Sequence, residues 1–224
     1  MTVPELTVEG GSTVGVVIAI VLAVSIIALS AWIAFVAYRG YQQSGERSVL
    51  AIAIGITLTA TVPTIVRIAL PTAGVSSLIT TAAAVALQFA GLVVILYAIY
   101  TRPQAVNTRL VAGTTAGSLI VFAAPLTAVQ LTAIGPSTAM TAIGAITALL
   151  GGFVAVQAYR GYRRYDRRPM LLLAIGLTLL TVGSFIAITT VEWVLPVSDA
   201  AAVSTVWTVE LFGLLAILLS LRSE

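Results

Sequence analysis

Seven long apolar runs, joined by short polar connections, take up most of the chain. They cover approximately residues 12–38, 48–71, 74–101, 109–132, 136–160, 169–194 and 200–221. A helix rises about 1.5 Å per residue and a bilayer's hydrocarbon core is about 30 Å thick, so about 20 apolar residues suffice to cross it. The connections carry the turn-forming residues: PTAG around Pro71, TRPQAVNTR from Thr101, an uncharged IGPST near Pro136 and LPVSD near Pro196. The pattern predicts an all-α membrane protein of seven transmembrane helices, folded as a single transmembrane domain over residues 1–224.

The pattern also repeats. Residues 37–63 and 158–184 align without a gap at a constant separation of 121 positions. Ala37-Tyr38-Arg39-Gly40-Tyr41 matches Ala158-Tyr159-Arg160-Gly161-Tyr162, Ala53-Ile54-Gly55 matches Ala174-Ile175-Gly176, and Thr57-Leu58 matches Thr178-Leu179. Further on, Gln88-Phe89-Ala90-Gly91-Leu92 resembles Glu210-Leu211-Phe212-Gly213-Leu214 after a one-residue insertion in the second copy. Self-similarity on this scale predicts a three-plus-one-plus-three bundle: repeat A over about 12–101, a linker helix over about 109–132 and repeat B over about 136–221. Copies that begin an even number of spans apart point the same way, so the expected relation is a pseudo-twofold axis along the membrane normal.

Charge supplies the orientation. With seven spans, Arg39, Arg47, Arg102, Arg109, Arg160, Arg163, Arg164, Arg167, Arg168 and Arg222 fall on one face. The positive-inside bias makes that face cytoplasmic, with the N-terminus outside and the C-terminus inside. Glu5, Glu9, Glu192 and Asp199 lie on the other face, where Arg67 is the sole arginine. The start, MTVPELTVEGGSTVG, has no basic residue and reads as the lead into a retained span. Six spans would scatter the arginines.

Composition narrows the chemistry. Apolar residues make up 59% of the chain and charged residues 8%, with a mean hydropathy of +1.10. Such a chain belongs in a lipid bilayer. Cysteine, histidine and lysine are all absent. Their absence removes disulfides, thiolate nucleophiles, imidazole bases, the usual haem and zinc ligands and any side-chain Schiff base. No metal site or cofactor is expected, and no catalytic residue. The pI near 9.6 reflects membrane orientation, so nucleic acid is not an expected partner.

Glu210 lies near the middle of the seventh span, where insertion of an acidic side chain costs about 2.5 to 3.5 kcal/mol. Two readings stand: a ligand-binding or protonatable carboxylate facing a cavity, or a neutral acid serving as interhelical glue. Gln88 occupies its counterpart in the other copy, and the two would meet near the bundle centre if both face inward. Arg67, about one turn before Pro71, is expected to snorkel to headgroups. Its alternatives are Glu210 inside the bundle or Glu192 and Asp199 at the rim. Trp32 and Trp207 lie deep enough to line a cavity, with packing as the default, while the tyrosines and Trp193 suit interfacial belts. Gly55, Gly91, Gly176 and Gly213 suit close helix approach. Pro63 and Pro125 can kink their spans, and threonines beside Pro63 can satisfy freed carbonyls. The repeated Tyr-Arg-Gly-Tyr reads as the end of spans one and five, glycine supplying a left-handed cap. Arg39, Arg160, Arg163, Arg164, Arg167 and Arg168 are candidates for contact with anionic lipid or a cytoplasmic partner.

Two architectures resemble this plan, the microbial rhodopsins and the SWEET transporters. A retinal opsin attaches its chromophore to a lysine in the seventh helix, and a lysine-free chain cannot hold covalently bound retinal. SWEET repeats carry a proline within their first helix, whereas span one has none and span five only Pro136 at its very start. The duplicated AYRGY, the AIGxTL run and the lysine-free composition resemble small uncharacterised membrane proteins of haloarchaea. That resemblance implies a salt-loving archaeal source, a plasma-membrane location and, since such proteins are often associated with winged-helix regulators, a regulatory or sensory role. The functional expectation is a non-enzymatic sensor or membrane partner of a cytoplasmic regulator. A small-solute or proton-linked transporter and a structural subunit, with homo-oligomers possible, are the alternatives.

Overall fold

A computed structural model describes residues 13–45, 47–100, 108–131, 135–166, 168–194 and 199–222. Seven helices account for nearly all of them. These are α1 (Thr13–Ser44), α2 (residues 47–72), α3 (Ser77–Tyr100), α4 (Thr108–Leu131), α5 (Pro136–Tyr165), α6 (residues 168–194) and α7 (Asp199–Arg222). No strand occurs among the described residues, and all seven helices are long and apolar enough to cross a membrane. Even the 24-residue helices rise about 36 Å, more than the hydrocarbon core demands.

The helix ends depart from expectation at one repeated place. Tyr38-Arg39-Gly40-Tyr41 and Tyr159-Arg160-Gly161-Tyr162 do not end their helices, which continue to Ser44 and Tyr165. The left-handed caps are Gly45, with φ 68°, and Asp166, with φ 51°, again 121 positions apart. Their N–H groups donate to Tyr41 O and Tyr162 O at 2.8 and 2.7 Å, closing the last turn. Gly161 instead makes room for the next helix, since a Cβ there would sit 3.1 Å from Met170 Sδ.

Six of the helices form a closed ring. α1 packs on α2, α2 on α3, α3 on α5, α5 on α6, α6 on α7, and α7 returns to α1. α4 lies outside this ring against α3 and α5 and is the least buried helix. The two contacts joining the triplets, α3 with α5 and α7 with α1, each set the third helix of one against the first of the other.

Within each triplet one close contact recurs. A Cβ built on Gly55 would meet Ile95 and lie 2.9 Å from Gly91 O, and a Cβ on Gly176 would meet Ile217 and lie 2.7 Å from Gly213 O. Small residues let the backbones of α2 and α3, and of α6 and α7, approach to that degree. α1 and α2 are additionally tied by a buried hydrogen bond from Thr61 Oγ1 to Ser30 Oγ at 2.6 Å.

Both α2 and α6 change winding at mid-length. Thr57–Thr61 and Leu179–Gly183 are π-helical, with Val62 N–H donating to Thr57 O and Ser184 N–H to Leu179 O. Pro63 follows the first segment, yet Ser184 stands at its counterpart and the second segment forms regardless. Proline alone therefore does not cause the π winding. Nearby hydroxyls bond back one turn, Thr57 to Ala53 O at 2.9 Å, Thr59 to Gly55 O at 2.7 Å and Thr178 to Ala174 O at 2.8 Å.

The bundle is solid at one end and hollow at the other. Ile33, Ile56, Leu92, Ile95, Val154, Leu177, Leu214 and Ile217 are buried and fill the half nearer the arginine-rich end. The opposite half holds the cavity.

Candidate functional site

The side chains of α2, α3, α5, α6 and α7 enclose a cavity of about 560 Å³. It reaches exposed Pro71, Ser77 and Ser137 at the ends of their helices and descends to Gln88 and Glu210. Its size falls within the range of small-molecule sites, about 300 to 1,000 Å³. Helix composition explains why it exists. Ser77, Thr80, Thr81, Ser137 and Thr141 occupy the first turns of α3 and α5, where larger apolar side chains would close the space.

Glu210 is the twelfth of the 24 residues of α7, only 3% exposed, and lies on the cavity's lining. Arg67, on α2, does not extend away to headgroups as its position near the helix end suggested. Its Nη1 donates to Glu210 Oε1 at 3.3 Å, and its side chain is 27% exposed. The inward turn has a physical cause: a carboxylate at mid-helix in an apolar bundle draws the nearest guanidinium inward, since an unmatched ion there costs several kcal/mol. Glu210 thus lines a cavity and is also tied to a neighbouring helix, so the geometry holds a feature of each of its two readings. Gln88 lines the same cavity, so all three residues singled out from sequence come together.

The counterpart positions are also present and differ in kind. Gln88 corresponds to Glu210, and Ile188, another lining residue, corresponds to Arg67 at the 121-position separation. The charge pair therefore occupies one diagonal of the cavity. An amide and an aliphatic side chain occupy the other.

Trp207, 8% exposed, lines the cavity one helical turn from Glu210. Trp32 is 48% exposed on α1 and borders a shallow groove against α7 instead. Sequence reasoning missed Met140, Thr147, Thr181, Ser184 and Phe185, which supply much of the wall. The available signal was the crowding of hydroxyl residues into the halves of the spans remote from the arginines.

At the other end of the bundle Arg39, Arg160, Arg163, Arg164 and Arg168 are exposed. Arg39 Cζ lies 4.9 Å from the centroid of the Phe35 ring and Arg164 Cζ 5.6 Å from that of Tyr165. Tyr38 and Tyr41, and likewise Tyr159 and Tyr162, hold their rings 6.3 and 6.1 Å apart. Arg102 and Arg167 lie outside the described residues, as do the side chains of Arg47, Arg109, Glu192 and Asp199. Among the described residues no three acidic, histidine or cysteine side chains gather as a metal ion would require.

Residues 140–222 match a family of unknown function, DUF7521. No curated protein and no solved structure matches the chain. The stretch similar to DUF7521 begins within α5 and ends at the last residue of α7, so it takes in most of one three-helix triplet and none of α1 to α4. It contains Glu210, Trp207, the α6 wall of the cavity and the α5 wall from Met140 onward, while Arg67, Gln88 and Ser137 come from outside it.

Proposed function

We propose that this chain is a non-enzymatic multi-pass membrane protein that senses a small molecule held between its two three-helix units. The single observation that carries the reading is the hollow half of the bundle, which leads from exposed Pro71, Ser77 and Ser137 to the Arg67–Glu210 pair. A purely structural subunit has no use for a charge pair at the floor of a cavity, where ionic groups are costly to keep. The apolar half below the pair blocks passage, so the bound molecule's presence is passed on rather than the molecule itself. The exposed arginines of α1, α5 and α6 are the output surface, facing the cytoplasm and a regulator or anionic lipid. The AYRGY resemblance supports the plasma membrane of a salt-loving archaeon as its setting. The matching close approaches of Gly55 to Gly91 and of Gly176 to Gly213 support reading the chain as two parallel copies around α4.

Transport is the second reading, and one observation favours it: Leu180 and Thr181 of the second π segment line the cavity. Such segments are frequent at functional sites and are natural places for a helix to re-wind. In this reading the triplets rock about the pseudo-axis and open the arginine-rich half in turn.

The cysteine-free sequence makes the test direct. Thr189→Cys, in the cavity wall, should react with a membrane-impermeant maleimide in intact cells. Arg163→Cys should react only after permeabilisation. Thr189→Cys shielded from both sides ends the ligand-binding reading. Uptake of solute into proteoliposomes by the wild-type chain decides for transport over sensing.

A further inference from the structure

We infer that the cavity takes a small zwitterion with an apolar side chain, of the chemical class of a hydrophobic α-amino acid, an assignment that rests on the ligand-binding reading above. The argument starts from charge balance. Arg67 and Glu210 together contribute no net charge to a low-dielectric space, and a ligand with a net charge would leave one ion there unmatched. A ligand with no charge can hydrogen-bond to both ions but supplies no opposite charge to either. A zwitterion keeps the cavity neutral and offers a partner to each member of the pair.

The geometry suits that exchange. The pair is joined through one Nη1 to Oε1 contact at 3.3 Å, which is long for a charge-assisted hydrogen bond. A guanidinium has five N–H donors in a planar fork suited to a carboxylate, and this contact uses one. A ligand carboxylate set on Arg67 and a ligand ammonium set on Glu210 would replace one long bond with shorter ones. Depth orders the two charges. Arg67 stands nearer the cavity's opening and is 27% exposed, whereas Glu210 is 3% exposed. The ammonium therefore leads and the carboxylate follows. Gln88, at the counterpart of Glu210, offers an amide oxygen to the same ammonium, and Trp207 offers an aromatic surface beside it.

The uncharged diagonal sets the remainder of the ligand. Ile188 stands where a second arginine would complete the symmetry, and Val85, Met140, Phe185 and Val203 share the lining. These walls accept an aliphatic or aromatic side chain, and the hydroxyls that share the lining carry no charge to match a second ion. Basic and acidic amino acids are excluded on that ground, and so is a dianion.

The test uses the full chain in mild detergent and equilibrium dialysis with radiolabelled L-leucine and, separately, with radiolabelled isoamyl alcohol and glucose. Isopentylamine, which lacks the carboxylate, and isocaproate, which lacks the amine, serve as competitors beside isoamyl alcohol and glucose. Leucine should bind, and each singly charged analogue should compete at least about tenfold more weakly, because each leaves one buried charge without a partner. Arg67→Gln and Glu210→Gln should each weaken leucine binding by about tenfold or more while remaining monodisperse on size exclusion. Equal competition by isopentylamine or isocaproate overturns the zwitterion assignment, as does binding of only isoamyl alcohol or glucose. Neither result disturbs the ligand-binding reading. If no probe binds but Thr189→Cys is labelled, the assignment fails and the cavity stands; if Thr189→Cys is also unreactive, both fail.

Discussion

Glu210 and Arg67 are 143 positions apart in the chain, yet their side chains meet at 3.3 Å inside the bundle and tie α7 to α2. Removing one member of such a pair strands the other in an apolar surrounding, whereas removing both leaves no ion to solvate. Glu210→Leu should therefore destabilise the protein by about 3 kcal/mol. The double variant Arg67→Leu, Glu210→Leu should recover most of that loss. Thermal unfolding followed by fluorescence-detected size exclusion measures both. A double variant no better than the single one would show that the two side chains are not energetically coupled.

The glycines separate into those that are crowded and those that are not, and the difference can be measured. A Cβ at Gly176 meets Ile217 and lies 2.7 Å from Gly213 O, with backbone as well as side chain in the way. Gly176→Ala and Gly55→Ala should each cost about 1 to 3 kcal/mol through overpacking of α6 on α7 and of α2 on α3. Gly113, in α4, has nothing within 4 Å of a built Cβ. Gly113→Ala should be neutral or stabilise by up to about 1 kcal/mol through higher helix propensity. Melting temperatures of the three variants, measured side by side, check the contrast.

Much of this was legible in the sequence because helices that cross a membrane leave long apolar runs. The seven spans fell within a few residues of the helices, apart from α1 and α5, which run past Gly40 and Gly161. Those two were misjudged because glycine next to tyrosine and arginine looks like a cap, while Gly161 serves to accommodate Met170. The pairing of Arg67 with Glu210 was legible as an alternative but not as a choice. Whether an arginine near a helix end turns outward or inward depends on where a carboxylate lies in space. The π segments carried no signal, since Pro63 marks one and Ser184 the other. The cavity walls were likewise hidden, because Thr147 and Phe185 differ from packing residues only in what lies opposite them.

The left-handed caps give a prediction with opposite signs at equivalent positions. Gly45 has φ 68° with open space around a built Cβ, so Gly45→Ala incurs only the conformational cost, about 1 kcal/mol. Asp166 already bears that cost at φ 51°. Asp166→Gly should stabilise the end of α5 by up to about 1 kcal/mol, less whatever its side chain contributes. Thermal unfolding of the two variants tests this. A loss in both would mean that Asp166 makes a contact worth more than its strain.

If the two triplets are equivalent halves around a pseudo-twofold axis, the charge pair should be transplantable from one diagonal to the other. Gln88 corresponds to Glu210 and Ile188 to Arg67, and all four positions line the cavity. The quadruple variant Arg67→Ile, Gln88→Glu, Ile188→Arg, Glu210→Gln keeps composition and net charge and moves the pair across the axis. Its stability should lie within about 1 kcal/mol of the wild type, because each new neighbour repeats an old one. Ile188→Arg alone adds an unmatched guanidinium and should cost about 3 kcal/mol or more. A quadruple variant as unstable as Ile188→Arg alone would mean that the second diagonal does not bring its two side chains together. The close contacts at Gly55 with Gly91 and at Gly176 with Gly213 argue for the first outcome, since they fix the spacing of α2 to α3 and of α6 to α7 alike. Two alike triplets set facing each other give the α3-to-α6 diagonal the same reach as the α2-to-α7 one.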